Sequence, residues 1–300
     1  MNILKTIIYF SIFKYPITKE EIIAFSAINK RNIDEEIGFL ENKGIIFNHN
    51  GYYSCCEDHT LVKRRLDGNA QAKKVMPTAI RRGRFIAKFP FVESVCISGA
   101  LSKNYYDKEG DVDFFIITRK NRLWVARMIL TLFRKVFLLN STKYFCTNYY
   151  LSANNLELEE KNRFTATEIA TLIPIAGEKN IRELREKNNW IYDFFPNVKL
   201  PEINQDSRNY TKRISRLIEG IFSTKFGDNL EEKIMKIHQE KWRKKYSKLS
   251  KQEFQLAFKS SKKVSKSHPN NFQSKVLNHL DEKYKEIEER HHIKLTLDHA

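Results

Sequence analysis

The stretch 95–118, VCISGALSKNYYDKEGDVDFFIIT, places two aspartates at the start of an apolar run that is typical of a buried β-strand. Side chains alternate between the faces of a strand, so Asp111 and Asp113 are expected to project to the same side, about 7 Å apart. Two carboxylates at that separation repel each other, and burial adds a desolvation penalty. A strand with this pattern therefore needs a partner for both acids.

A divalent cation is a suitable partner, because Mg²⁺ prefers oxygen ligands and commonly binds phosphates at the same time. Gly99 ends the preceding β-prone run, FVESVCIS. A residue without a Cβ at that position lets backbone N–H groups approach a phosphate closely. The residues alone therefore predict that the two acids hold a metal ion beside a triphosphate.

The same segment resembles the signature of the polymerase-β-like nucleotidyltransferase superfamily. It reads Gly99-Ala100, a spacer over 101–110, and then Asp111-Val112-Asp113-Phe114. Longer stretches are similar to a group of bacterial nucleotidyltransferase-domain proteins that begin with a winged helix: SGALSKNYYDKEGDVDFFIIT, RLWVARMILTLF, KYFCTNYYLS and FTATEIATLIPI. The resemblance covers roughly residues 1–200.

The resemblance implies an α+β fold, with a mixed sheet and helices forming a polymerase-β-like core. Asp111 and Asp113 would be the catalytic residues and would bind Mg²⁺ or Mn²⁺. Four residues at the end of the preceding strand would bind the nucleoside triphosphate: Ser98, Gly99, Ala100 and Ser102. The implied function is metal-dependent transfer of a nucleotidyl group from an NTP to an acceptor, which could be a nucleic acid, a protein side chain or a small molecule.

Two departures from the family pattern bear on activity. Ala100 stands where the family usually has serine, so one hydroxyl contact to the phosphates is absent unless Ser98 or Ser102 supplies it. The family also commonly has a third carboxylate on the next central strand, whose inward candidates here are Cys146 and Asn148. An asparagine can offer a carbonyl oxygen to a metal but is a poor base. The alternative is a catalytically decayed regulatory protein that binds a nucleotide or nucleic acid.

Residues 1–58 have the pattern of a winged helix-turn-helix: three short amphipathic helices followed by a hairpin. Thr18 and Glu21 have the spacing of a capping box, and Gly44 is placed to end the third helix. Asn50-Gly51 is a strong turn signal between two β-prone runs. The presumed recognition helix, 30–43, is net acidic, which disfavours phosphate contact and sequence-specific DNA reading. We expect a docking or substrate-presenting role instead.

The chain carries a formal net charge of +17, and much of it lies in a connector, 59–90, that we expect to be helical. This segment could guide phosphates toward the site or could be only a solvated face. The predicted domains are the winged helix (1–58), the connector with the nucleotidyltransferase core (59–200), and a helical C-terminal region (201–300). Within the core, FTATEIATLIPI is expected to form a helix capped at Thr165 that serves packing.

No uncharged apolar run reaches the roughly 18 residues that a membrane span needs, so no membrane partner is expected. The four cysteines form no C-x-x-C pair, which disfavours structural zinc and a disulfide framework. A cytoplasmic location is the prediction that follows.

Overall fold

A five-stranded mixed sheet organises the middle of the chain. The structure is a computed structural model and describes residues 2–28, 32–203, 213–247, 249–250, 254, 258–266 and 272–296. The strands of this sheet are β4 (Val92–Ser98), β5 (Asp113–Thr118), β6 (Cys146–Ser152), β7 (Ile173–Ala176) and β8 (Val264–Lys266), and their order across the sheet is β7-β4-β5-β6-β8. The α+β class predicted from the sequence is confirmed.

The sheet is mixed because β5 and β6 run parallel while the other three neighbouring pairs are antiparallel. The parallel pair is joined by helix α6 (Leu123–Phe137), since two parallel strands cannot be connected by a tight turn. Strand β4 leads into a single helical turn, α5 (Gly99–Ser102).

Helices cover both faces of the sheet. One face packs against α6, the long helix α4 (Thr60–Ile86) and α11 (Lys225–Lys245), and its core includes the fully buried Trp124 and Phe114. The other face packs against α7 (Arg163–Thr171), α8 (Glu178–Lys187) and α9 (Ile191–Phe194). The helix expected in the connector 59–90 is therefore present, and it contributes to the core.

The N-terminal unit consists of α1 (Asn2–Ile12), β1 (Ile17–Thr18), α2 (Lys19–Ala24), α3 (Ile33–Asn42) and the hairpin β2–β3 (Phe47–His49, Tyr52–Ser54). Thr18 and Glu21 form the predicted capping box at the start of α2. Asn50 and Gly51 both have positive φ, which matches the predicted hairpin turn. Of the predicted helix 30–43, Lys30 and Arg31 lie outside the described residues.

The prediction for FTATEIATLIPI was wrong in two respects. Helix α7 is capped by Asn162, whose side chain accepts a hydrogen bond from the Thr165 N–H at 3.0 Å, and not by Thr165 itself. The helix ends at Thr171, and the last residues form strand β7 at the edge of the sheet. Pro174 explains the change, because proline cannot continue a helix and disfavours helical backbone in the residue before it.

The described part of 201–300 does not pack as a separate unit. It contains α10 (Arg213–Phe222), α11 and α12 (Phe272–His291), but strand β8 belongs to the central sheet. Buried side chains of α12, such as Leu280 and Tyr284, share a core with α1 and α3. The predicted ranges 1–58, 59–200 and 201–300 therefore divide the chain by sequence position. The hydrophobic cores, in contrast, contain residues from more than one of these ranges.

Glu231 of α11 caps helix α6 from outside. Its two carboxylate oxygens accept hydrogen bonds from the Trp124 and Val125 N–H groups, both at 2.9 Å, and its side chain is buried. Arg122, the residue before the helix, makes no side-chain cap of its own. Helix α11 thus satisfies free donors at the start of the crossover helix α6.

Replacing Glu231 by alanine should lower the free energy of unfolding by about 3 kcal/mol, because two buried N–H groups lose charged acceptors. Urea denaturation followed by circular dichroism measures the change. Glu232→Ala is the matched control, since the neighbouring Glu232 is about half exposed and, among the described residues, forms surface ion pairs with Lys236 and Lys262. Equal stability of the two variants would contradict the capping role.

Among the described residues, no helix is long and apolar enough to cross a membrane.

Candidate functional site

The predicted site residues meet at one end of the central sheet. Ser98, the last residue of β4, pairs with Asp113, the first residue of β5, and Asp113 also pairs with Cys146 at the start of β6. The expectation that both aspartates lie in the strand is only half right. Asp111 precedes β5 and is exposed, whereas Asp113 lies within the strand and is mostly enclosed.

Gly99 lies directly against the Asp113 carboxylate. Its φ is +66°, in the left-handed region, and a Cβ at this position would come within 2.4 Å of the Asp113 Oδ2 atom. Glycine is therefore required here for two reasons, the backbone conformation and the space that the carboxylate occupies. The sequence predicted a special glycine at this turn, but its contact with Asp113 was not foreseen.

The Asp113 carboxyl has an unusual protonation equilibrium. Burial, reinforced by the negative charges of Glu168 and Asp111, raises its pKa to about 6. Two neighbours partly oppose this shift: the Cys146 thiol, and the Asn148 amide, which donates from Nδ2 to Oδ1 at 3.1 Å. Without a cation, the site thus disfavours the charged form of its central acid.

Glu168 is a candidate functional residue that the sequence analysis did not single out. It lies on α7, which was expected to serve packing only, and its carboxylate faces the same pocket as Asp113. Lys103 holds it with an ion pair of 2.8 Å and also donates to the Gly99 carbonyl at 3.0 Å. An acid on a helix whose other side chains are mostly buried was the signal present in the sequence.

A pocket of about 320 Å³ opens over this end of the sheet. Its walls include Ser98, Gly99, Ala100 and Asp113, so four of the six predicted site residues border it. Asn148 borders it as well, whereas Asp111 and Ser102 are not among the lining residues. The remaining wall comes from α7, from the segment 158–160 and from the C-terminal residues Lys266, Phe272 and Gln273.

Ser102, which was expected to contact the phosphates, has both of its hydrogen-bond contacts within the protein. Its hydroxyl donates to the Gly99 carbonyl at 2.9 Å and lies 3.4 Å from the Thr171 hydroxyl, so it ties the turn of α5 to α7. It therefore shapes the loop that carries Gly99 without lining the pocket. Ser98, by contrast, does line the pocket.

Two lysines flank the acids, the buried Lys266 and the partly buried Lys103, and neither was predicted. Lys266, the last residue of β8, is 7% exposed and lines the pocket; burial lowers the pKa of its amine. Its amine donates to the Gln273 side chain. Lys103 lies next to the acids because it forms an ion pair with Glu168. Phosphates entering the pocket would thus meet an ammonium group that has given up most of its hydration.

The basic residues of the connector helix α4 differ in where they lie and what they contact. Lys63, Arg64 and Lys74 border an open groove between α4 and the loop 105–110. Arg65 is buried and forms a bidentate ion pair with Glu21, which fastens α4 to the N-terminal unit. Arg81 and Arg82 are not buried, and they line neither this groove nor the pocket over Asp113.

The oxygen-bearing side chains around Asp113 match the preferences of a hard cation. Asp111, Glu168 and Asn148 all act on or contact Asp113, and a divalent ion would relieve the repulsion between the three acids. Within the described ranges, no three His, Cys, Asp or Glu side chains already form a group that could hold a metal ion. The donor set fits Mg²⁺ or Mn²⁺ with phosphate oxygens completing the coordination.

No protein-family model matches the chain, and no curated protein and no solved structure matches it either.

Proposed function

We propose that this protein is a metal-dependent nucleotidyltransferase that moves a nucleotidyl group from an NTP to an acceptor. The observation that carries the proposal is the Asp113 carboxyl, buried beside Gly99 with a pKa raised to about 6 by burial and by two further acids. Strongly perturbed acids in a pocket are typical of functional sites. A polymerase-β-like core and a cytoplasmic location belong to the same proposal.

Asp113 and Asp111 would hold Mg²⁺ or Mn²⁺, which supplies charge neutralisation for the phosphates when it is bound. Asp113 would bind the ion from within the pocket, because it lines the pocket. Asp111 would bind it from the solvent side, because its side chain is exposed. Asn148 would fix the Asp113 carboxylate through its amide hydrogen bond.

Ser98, Gly99 and Ala100 would receive the triphosphate, together with Lys266 from the opposite wall. The backbone at Gly99 is free of a Cβ, and the Ser98 hydroxyl is within the pocket wall. Lys266 would stabilise the negative charge that develops as the bond to pyrophosphate breaks.

Glu168 would take the role of the third carboxylate that the family pattern places on β6. It lies close enough to Asp113 to raise its pKa, and it projects from a helix into the pocket. In that position it can accept the proton of the acceptor hydroxyl. This assignment favours an active enzyme over a decayed nucleotide-binding protein.

The N-terminal unit would be a winged helix used for docking or for presenting an acceptor. The order helix, strand, two helices and hairpin supports this interpretation. The exposed face of α3 carries Asp34 and Glu35, and Asp34 pairs with Lys19 at 2.5 Å. Such a face is unsuited to contact with DNA phosphates.

Equilibrium binding of labelled NTPs to the full chain, with and without Mg²⁺, tests the proposal. We expect saturable binding that requires the metal, and transfer of the label to an acceptor in cell extract. Binding that is absent with both Mg²⁺ and Mn²⁺ would refute the proposed function. Binding without any transfer would favour the regulatory alternative.

Glu168→Gln should reduce the transfer rate at least 100-fold, because the loss of a general base typically costs a factor of about 10²–10⁴. NTP binding should change far less, since Asp113 and Lys266 remain. Glu186→Gln on the neighbouring helix α8 is the matched control, because Glu186 is exposed. Single-turnover kinetics at saturating NTP separate the two effects, and equal rates in the two variants would exclude Glu168 as the base.

A further inference from the structure

A second, smaller pocket of about 160 Å³ lies on the N-terminal side of the first. The two pockets share four lining residues: Gly99, Ala100, Glu168 and Phe272. The shared wall therefore contains both the proposed phosphate-binding turn and the proposed base. A ligand in the second pocket would therefore contact residues that also border the first.

Six of the ten residues that line the second pocket are aromatic. Its rings belong to α1, to the segment that follows α1, to the loop after α5 and to the start of α12: Tyr9, Phe10, Phe13, Tyr15, Tyr105 and Phe272. Several of them pack edge to face, for example Tyr9 with Phe13 at 5.3 Å and Tyr15 with Tyr105 at 5.9 Å between ring centroids. Mutual packing of this kind holds the rings in place and preserves the shape of the pocket.

Size and polarity together restrict the occupant. A cavity of about 150 Å³ lined by apolar side chains is known to hold a benzene ring, so a pocket of this volume suits one six-membered ring. A nucleobase carries several donors and acceptors, and this lining would leave most of them without partners at a high desolvation cost. A phenyl ring with one polar substituent avoids that cost.

The polar groups of the pocket lie on the shared wall. Glu168 and Lys103 form an ion pair there, and the Tyr9 hydroxyl bonds to Thr167 and lies within the field of Glu168. A ring seated among the aromatic side chains would direct its single polar group toward Glu168. A hydroxyl on that ring could then donate to the carboxylate.

We propose that the second pocket binds the ring of a phenolic acceptor and presents its hydroxyl to Glu168. The binding claim stands on the pocket itself, while the transfer claim rests on the proposed function. The phenol could be a tyrosine side chain or a free small molecule, because the chemistry of the ring and hydroxyl is shared. A phenol has a pKa near about 10 and ionises more readily than an aliphatic alcohol, so a carboxylate can serve as its base.

In the transfer step, the phenolic oxygen forms a bond to the α-phosphorus of the NTP. The bond from that phosphorus to the bridging oxygen of the pyrophosphate breaks, and the electron pair leaves with pyrophosphate. The phenolic proton passes to the Glu168 carboxylate and then to water. The products are an aryl nucleotidyl ester, pyrophosphate and one proton.

Fluorine NMR with 4-fluorophenol and the full chain tests the binding claim. We expect saturable binding that Phe13→Ala weakens at least tenfold, because Phe13 lines the second pocket and not the first. Phe137→Ala is the matched control, since Phe137 is 70% exposed on α6. Phe13→Leu keeps the apolar volume if the alanine variant fails to fold, and it should still weaken binding of the ring. No binding to wild type, or equal affinity in Phe13→Ala and Phe137→Ala, would overturn the proposal.

Transfer assays with labelled NTP distinguish the two sources of the phenol. N-acetyltyrosinamide represents a protein side chain and 4-methylphenol a small molecule, and we expect labelling of at least one. N-acetylphenylalaninamide, which lacks the hydroxyl, should not be labelled. If wild type binds NTP with Mg²⁺ but labels neither phenol, the acceptor assignment is wrong while the proposed function survives. If NTP does not bind at all, the proposed function is wrong, and the NMR titration alone decides whether the pocket accepts a phenol.

Discussion

Asp113→Asn should abolish Mg²⁺-dependent NTP binding and nucleotidyl transfer while leaving the fold intact. The substitution keeps the size of the side chain but removes the negative charge of the proposed metal ligand within the pocket. Its neighbours Asn148 and Cys146, both in β6, can adjust to an amide because both side chains are small and polar. Equilibrium dialysis of labelled NTP and circular dichroism measure the two expectations.

The same variant should be more stable than wild type at neutral pH in the absence of metal. Folding raises the pKa of Asp113 from about 3.8 to about 6, so the folded chain holds a proton that the unfolded chain releases between these values. The contribution of this group to stability is therefore highest at low pH and falls as the pH rises through this window. Above about pH 6 the charged carboxylate destabilises the fold by about 3 kcal/mol, and an uncharged asparagine avoids that penalty.

Asp193→Asn provides the control for a simple loss of charge, because Asp193 is exposed on α9. Urea unfolding at pH 4 and pH 7.5 should show a gain for Asp113→Asn only at the higher pH. Mg²⁺ and NTP should stabilise wild type and the control but not Asp113→Asn. A variant that still binds NTP with metal would remove Asp113 from the site.

Gly99→Ala should also eliminate metal-dependent binding, although it leaves every charged group in place. The left-handed backbone disfavours alanine by about 1 kcal/mol. The added Cβ would in addition lie 2.4 Å from the Asp113 Oδ2 atom, so the carboxylate has to turn away from its present position. We expect a total loss of about 2–4 kcal/mol of stability from strain and overpacking, together with loss of NTP binding.

Gly44→Ala isolates the backbone effect. Gly44 follows α3 with φ of +63°, almost the same conformation as Gly99, but a Cβ added to it would have no atom within 4 Å. This variant should lose only about 1 kcal/mol and keep full NTP binding. If both glycine variants bind NTP normally, contact between Gly99 and the acid has no functional importance.

Local signals in the sequence were sufficient for much of the fold. The capping box at Thr18 and the Asn50-Gly51 turn each depend on neighbours within a few residues, so both could be predicted and both are present. The strand that begins at Asp113 and the crossover helix α6 follow from their apolar periodicity. The candidate residues on these elements could be placed near one another for the same reason, and Ser98 and Asp113 do line one pocket.

The rest depends on contacts between distant parts of the chain. Glu168 approaches Asp113 because α7 packs on the sheet, and Lys266 reaches the pocket because β8 pairs with β6. No local pattern specifies that three-residue strand. The sequence also suggested that Ser102 would bind phosphate, yet its hydroxyl satisfies a carbonyl within its own turn. Residue type showed which groups could act, and long-range packing determined which of them line the pocket.

Strand β8 and helix α12 come late in the chain, so the parts of the fold that they complete can form only late in synthesis. Lys266, Phe272 and Gln273 complete the pocket, so a growing chain that has passed the aspartates still lacks one wall. Until β8 arrives, the outer edge of β6 has unpaired backbone groups that could pair with another chain. The complete pocket can therefore form only after Gln273 has left the ribosome. Binding of a pocket ligand by nascent chains would thus show whether synthesis has passed this point.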